Sequence, residues 1–307
     1  MIPSRLKVGD KIGIISPSAP ITDDLKEQYK NGIKFLEELE FEIILGKYIF
    51  STSLGISASP KKKAEDISNM FKDISIKAII CSQGGLNANS CLPYLNWDII
   101  EQNPKIFLGI SDITALLNPI FQYTGLVTFH GNDLIFGFGN NPSDYDKQEF
   151  INCLVEGRIG KIPSNGERTS IREGTVTGKL LGGNLHSLLR LAGTPYFPDF
   201  RESILFLEAM DISPVFCDAF FNQLKQIGIF DQIKGVIIGY IYGLQEQIPE
   251  NIQMEEILFR VTEEYDFPIL KVNDFGHNCS NTILPIGCSI ELNTRKKEIS
   301  IIEQYVK

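Results

Sequence analysis

The sequence predicts an α/β fold, with an N-terminal, mostly parallel α/β sandwich domain followed by a β-rich α+β C-terminal domain. Three observations carry this expectation. Short apolar runs alternate with amphipathic stretches through the first 130 residues or so, the pattern of buried strands covered by helices on both faces. The alternation breaks after Phe138, at the turn cluster Gly139-Asn140-Asn141-Pro142-Ser143 and the polar stretch 157–174. Beyond it, strands and helices mix without the earlier regularity. A length of 307 residues leaves room for two ordinary domains, and 43% hydrophobic against 22% charged residues supports packed cores. The expected division is 1–145, a linking region 146–173, and 174–307.

The elements follow in order. Residues 11–16 form a short apolar strand that runs into Pro17-Ser18-Ala19-Pro20. Residues 23–39 place Leu25, Tyr29, Leu36 and Leu39 near one helical face. Residues 42–46 are a second strand. Residues 60–73 form a helix with Pro60 near its start and Ala64, Ile67, Met70 and Phe71 inward. Residues 78–82 are a third strand, ending at Gly84-Gly85, and 105–110 a fourth, followed by a helix to about Tyr123. Residues 126–129 are a fifth. In the second half, strands are predicted at 204–207, 235–240, 283–292 and 298–302, and helices near 184–191, 215–227 and 254–264. No internal repeat or low-complexity tract is present.

A formal net charge of −9, with no long Lys/Arg run, argues against nucleic acid or an anionic membrane surface as partner. It also gives no global steering of an anionic ligand, so recognition of one would have to be local. Six scattered cysteines without a CxxC pair read as reduced thiols of a cytoplasmic protein. The N-terminus lacks an apolar signal-peptide core, and no apolar stretch approaches the roughly 20 residues that span a bilayer. No HExxH or Cys/His cluster calls for a metal, and no cofactor is expected.

The chemistry centres on Phe107-Leu108-Gly109-Ile110-Ser111-Asp112. An apolar run ends on glycine, a serine follows two residues later, and a helix start begins at once. A rigid strand and a sharp turn present such a hydroxyl, and the helix start supplies unpaired N–H groups. The match is partial, because Asp112 stands where GxSxG has its second glycine. A serine needs a base and a group that orients the base. Only three histidines exist. His277, in the glycine-flanked loop Gly276-His277-Asn278, fits a reachable base better than His130 at a strand end or His186 inside a helix, though each also reads as a structural histidine. Glu208, directly after four apolar residues, is expected half-buried at a strand end, where it could hold an imidazole or simply face water. Oxyanion donors are expected from the backbone of Asp112 and of the Gly84-Gly85 turn. Cys81, at another strand end, is a weaker nucleophile candidate because no helix starts behind it. Gly182-Gly183-Asn184 opens a helix but lacks GxGxxG and a P-loop lysine, which favours capping over a phosphate cradle.

Taken together, Gly9-Asp10-Lys11-Ile12-Gly13-Ile14-Ile15-Ser16-Pro17-Ser18, the Gly84-Gly85 loop with Leu92-Pro93-Tyr94-Leu95, the segment from Pro104 to Leu116, Gly182-Gly183-Asn184-Leu185, Leu205-Phe206-Leu207-Glu208 and Gly276-His277 with Leu284-Pro285-Ile286-Gly287 resemble the LD-carboxypeptidase family of serine peptidases nearly end to end. The resemblance implies a nucleophile Ser111, an orienting carboxylate Glu208 and a base His277, with oxyanion donors at Asp112 and at Gly84 and Gly85. It implies a site between two domains, a homodimer, no metal, and cytoplasmic removal of a terminal D-alanine from a murein tetrapeptide. The family includes the microcin C self-immunity peptidases, to which Asn87-Ala88-Asn89-Ser90 looks closer, so a peptidyl- or aminoacyl-nucleotide is an alternative substrate. Gln83, Ile110 and Asn132 depart from the family pattern, which leaves the substrate open. A peptide-binding protein that has lost turnover is the reading from another class.

Overall fold

A computed structural model describes residues 1–53, 57–247 and 252–307. The alternating first half builds β1 (Lys11–Ile15), β2 (Glu42–Leu45), β3 (Ile76–Cys81), β4 (Ile106–Gly109) and β5 (Thr128–His130), which run parallel in the order β5-β4-β3-β1-β2. Their connections include α1 (Lys26–Glu38), α2 (Pro60–Lys72), α3 (Trp97–Gln102) and α4 (Thr114–Thr124). Strand β4 is buried at every residue, as a parallel strand covered on both faces must be. Helix α2 starts on Pro60 and buries Ala64, Ile67, Met70 and Phe71, the predicted stripe. Helix α4 stops where Gly125 adopts φ 69°, a left-handed C-terminal cap.

The second half builds a larger sheet. Helix α5 (Asp144–Phe150) leads to β6 (Gly160–Lys161), β7 (Thr169–Arg172), β8 (Thr175–Asn184), α6 (Leu185–Leu189), β9 (Ser203–Met210), α7 (Pro214–Gln226), β10 (Gly235–Tyr242), α8 (Leu244–Gln247), α9 (Met254–Val261) and β11 (Ile269–Gly276). After these come β12 (Leu284–Ile286), β13 (Ser289–Asn293) and β14 (Glu298–Ile301). The eight-stranded order is β6-β14-β13-β8-β9-β10-β11-β7, with β8 to β11 parallel at the centre and antiparallel pairs outside them. No described helix is long and apolar enough to cross a membrane.

Several expectations are corrected. The polar stretch 157–174 carries the edge strands β6 and β7 rather than turns alone. Strand β8 was not foreseen, and β11, the strand ahead of the His277 loop, was given no bounds. The first half of β8 mixes Thr, Lys and Gly and is half-exposed, and β11 carries Lys271, Asn273 and Asp274, whose polar groups find partners only in the folded sheet. The single strand expected at 283–292 is two. β12 pairs antiparallel with β5 and completes the first sheet, while β13 pairs with β8 in the second. Gly287 makes the break, at φ 88°, where an added Cβ would lie 2.1 Å from the Phe121 ring. An apolar run looks continuous in sequence, but a left-handed residue redirects it into another sheet. Gly287→Ala is therefore expected to cost about 2 kcal/mol or more, through backbone strain and overpacking, read as a lower urea midpoint at unchanged m-value.

Candidate active site

The nucleophile candidate sits at the top of β4. Ile110 is still extended, Ser111 then turns to φ 61°, and residues Ser111–Ile113 form one tight turn that feeds α4. A non-glycine residue in the left-handed region is a strained position. The turn after β3 packs against it. A Cβ added to Gly84 would lie 2.6 Å from Ser111 Cβ, 2.8 Å from its Oγ and 3.3 Å from the Asp112 nitrogen. Glycine at 84 is thus what lets two backbone segments meet at the hydroxyl. Gly85, at φ 146°, instead opens toward Ser18 and Ala19, where a Cβ would meet Ser18 Oγ at 2.5 Å.

The Asp112 side chain was missed in sequence, where only its amide was considered. Its carboxylate is fully buried and gathers four groups from three other segments of chain. Oδ2 accepts from Ser18 Oγ at 2.6 Å and from the Ala88 N–H at 2.7 Å. Oδ1 accepts from Ser187 Oγ at 3.4 Å and from the Arg190 guanidinium. Ser187 and Arg190 belong to the second half of the chain, so this residue bridges the two halves next to Ser111. A second bridge lies behind it. Asn118 on α4 donates to Gly182 O at 2.8 Å, and Thr114 Oγ1 accepts from the Asn184 N–H at 2.9 Å. The glycines at 182 and 183 serve this packing, since added Cβ atoms would meet Phe206 O at 1.9 Å and Thr114 Oγ1 at 2.3 Å.

Glu208 lies inside β9, not at its end, and is fully buried rather than half-buried. The strand continues to Met210 because β10 pairs with it that far. His277 follows β11 directly, and its Nδ1 is 2.5 Å from Glu208 Oε2. Gly276 sets this geometry. It has φ 144°, and its N–H donates to Asn281 Oδ1 at 2.8 Å. Burial alone would raise Glu208 and lower His277, but their mutual charge and hydrogen bond win in both cases. Glu208 is held below its ordinary value. His277 is raised above its own, with further help from Asp133 and Asp211. Asp133 is pushed up to about 6, mainly by burial, against the amides of Gly137, Phe136 and Gly84 and the charge of His277.

Ser111 and His277 line one cavity of about 830 Å³, together with Gly84, Gly85, Asp133, Asn184, Arg190 and Asp211. Among the described residues, no hydrogen bond joins Ser111 to His277, so the hydroxyl and the imidazole face a common space without closing on each other. The other candidates have different surroundings. His130 is fully buried, edge-on to Phe206 and Phe275, with neither ring nitrogen bonded and its pKa lowered by burial to about 4. His186 lines the cavity but leans on Phe220 at 4.9 Å and is lowered by burial. Cys81 is fully buried, and burial pushes its thiol well above the ordinary value, which removes it as a nucleophile. Among the described residues, no group of three or more His, Cys, Asp or Glu side chains is arranged to hold a metal ion.

Comparison with known proteins places this arrangement in context. Residues 12–131 match the model of the LD-carboxypeptidase N-terminal domain and residues 177–292 that of the C-terminal domain. The microcin C7 self-immunity protein MccF of Escherichia coli is 31% identical over 100% of this chain and 97% of its own. A probable murein peptide carboxypeptidase of Bacillus subtilis (strain 168) is 31% identical over 99% of this chain and 95% of its own. The solved structure of MccF in complex with aspartyl sulfamoyl adenosine superposes with a TM-score of 0.91 at 31% identity, covering all of both chains.

Proposed function

This chain belongs to the LD-carboxypeptidase family of serine peptidases, and on that footing we propose that Ser111, His277 and Glu208 hydrolyse the C-terminal amide bond of a small peptide through an acyl-enzyme. The observation that carries the reading is the His277–Glu208 pair opening into the same cavity as a strained, turn-mounted serine.

The chemistry balances on these groups. His277 takes the Ser111 proton as Oγ attacks the scissile carbonyl, and the backbone amides of Asp112 and the Gly84-Gly85 turn receive the oxyanion. The imidazolium, stabilised by Glu208, returns that proton to the leaving amine as the C–N bond breaks. Water, losing a proton to His277, then attacks the acyl carbon, and His277 returns that proton to Ser111 Oγ as the acyl–oxygen bond breaks. Closure between Ser111 and His277 belongs to the substrate-bound state, since catalytic hydrogen bonds are often long before substrate arrives.

The most favoured substrate is a murein tetrapeptide ending in D-alanine, supported by family membership and by the B. subtilis relative's name. The E. coli relative and its complex support a second substrate, an aminoacyl nucleotide. A side-by-side assay of the tetrapeptide and aspartyl sulfamoyl adenosine tests both. Release of D-alanine by the native protein but not by Ser111→Ala is the expected result. Cleavage of the nucleotide alone would move the reading to the second substrate, and cleavage of neither would sink it. The reading also takes residues 1–145 and 174–307 as two domains joined by 146–173, in a cytoplasmic homodimer that needs no cofactor. The two family-model matches, at 12–131 and 177–292, support the division.

The pH dependence follows from the sign of the His277 shift. A base works only when neutral, and Glu208 raises the pH at which this imidazole loses its proton. The acid limb of kcat/KM is therefore expected above the ordinary histidine value of about 6.5, with activity rising as pH increases through it. A limb near 4 would instead point to a carboxylate, or to His130.

A further inference from the structure

The acidic chain offers no general attraction for anions, so any anion recognition in the cavity must come from a particular side chain. Among the described residues, Arg190 is the only lysine or arginine that lines it. Three carboxylates line it as well. Asp146 is committed to Asn132, Ser143 and the Asn281 N–H, and Asp133 to the amides of Phe136 and Gly137. Asp211 stands at the exposed end of β9, beside Met210.

Arg190 is fixed through one nitrogen. Its Nη1 donates to Asp112 Oδ1 and to Leu86 O at 3.1 Å. Its Nη2 and Nε carry no partner among the described residues, and the side chain is 29% exposed. The anchor is fully buried and belongs to the residue next to Ser111. The guanidinium therefore has one nitrogen tied to the Ser111 turn and to Leu86 O, and its other two nitrogens unpaired on a side chain that lines the cavity. A planar fork of this kind suits a carboxylate or a phosphate-like group, which it can grip with two parallel hydrogen bonds.

We propose that the free edge of Arg190 binds the anionic group on the leaving side of the scissile bond. This rests on the hydrolase reading above and deepens it. An exopeptidase must distinguish a terminal residue from an internal one, and the terminal carboxylate is the mark. In a nucleotide substrate, the sulfamate or phosphate next to the acyl group carries the equivalent charge. One rigid guanidinium would hold either a fixed distance from the hydroxyl, as productive alignment requires. Arg190 is thus a specificity residue as well as half of the bridge to Asp112.

Binding to a Ser111→Ala background tests this without needing turnover. Isothermal titration would compare a tetrapeptide ending in D-alanine with its C-terminal amide, and aspartyl sulfamoyl adenosine with the aspartyl amide of 5′-amino-5′-deoxyadenosine, which is neutral where the sulfamate stood. Ser111→Ala is expected to favour at least one anionic ligand over its neutral partner by tenfold or more. Adding Arg190→Gln should bring that ratio to within about twofold of one, chiefly by weakening the anion, and Arg190→Lys should recover part of it. The pair that responds identifies the source of the anion. Labelling of Ser111 by a fluorophosphonate in the single Arg190→Gln variant checks that the turn has survived. An unchanged ratio in Arg190→Gln, equal weakening of both partners with loss of labelling, or no preference in Ser111→Ala would each overturn the proposal. If Ser111→Ala prefers the anion while the native protein hydrolyses neither substrate, the Arg190 site stands and the hydrolase reading falls.

Discussion

Ser111→Gly is expected to give a protein that is more stable than the native chain and has no measurable turnover. Ser111 holds φ 61°, a conformation that costs a side-chain-bearing residue about 1–3 kcal/mol and glycine little. Part of the gain is lost to glycine's greater freedom in the unfolded chain, so a net stabilisation of about 1 kcal/mol is anticipated. Removing the hydroxyl at the same time removes the only group at the turn that can form an acyl bond, and kcat/KM should fall by at least 10³-fold. Ser111→Ala separates the two effects, because it loses the hydroxyl but keeps the Cβ, and should match the native unfolding midpoint closely. Denaturant melts and single-turnover assays on the three proteins give the answer. If Ser111→Gly melted below Ser111→Ala, the turn would not be storing strain. If either turned over at a near-native rate, the nucleophile would lie elsewhere.

The second large effect is expected at Glu208. This carboxylate is fully buried and held 2.5 Å from the His277 ring, so the charge it provides acts in an environment that screens little. Glu208→Gln retains the shape and loses the charge. The imidazolium that forms during attack is then unsupported, and kcat should fall by about 10³–10⁴-fold, the scale seen when a buried acid that orients a base is neutralised in this way. The direction of the accompanying pH shift is diagnostic. Glu208 raises His277, so its neutralisation lowers the imidazole, and the acid limb of residual activity must move toward lower pH. A glutamate that served only the fold would lower the melting temperature and leave the limb in place. His130→Phe is the companion control. His130 is buried among Phe206 and Phe275 with no hydrogen bond, so its loss should alter stability and leave the limb of the native enzyme unmoved.

Much of this site was legible in the chain, and the parts that were not share a cause. The strand–Gly109–Ser111–helix pattern is local, so its turn could be expected from spacing, and the positive φ of Ser111 is its local consequence. The standing of His277 over His130 and His186 was legible only as a preference. Burial closes His130 inside an aromatic shell, whereas His186 and His277 both line the cavity, and His277 is bonded to Glu208. Glu208 was expected at a strand end because the apolar run stops before it. The strand in fact continues, held by β10, which no reading of 204–208 alone would reveal. Asp112 was weighed only for its amide, since nothing in the order Gly-Ile-Ser-Asp tells that its carboxylate will be enclosed by Ser18, Ala88, Ser187 and Arg190.

The amino-acid order alone settled what depends on near neighbours, namely the alternation of buried strands with helices, the helix start at Pro60, the end of α4 near Tyr123 and the sharp turn that carries Ser111. Folding settled what depends on residues far apart. Glu208 meets His277 across 69 positions and Asp112 meets Arg190 across 78, because strand order and the break at Gly287 bring those segments side by side. Spacing along a chain constrains only a few neighbouring dihedrals. Which distant groups share a cavity, and so which charges reinforce one another, follows from how the two sheets pack.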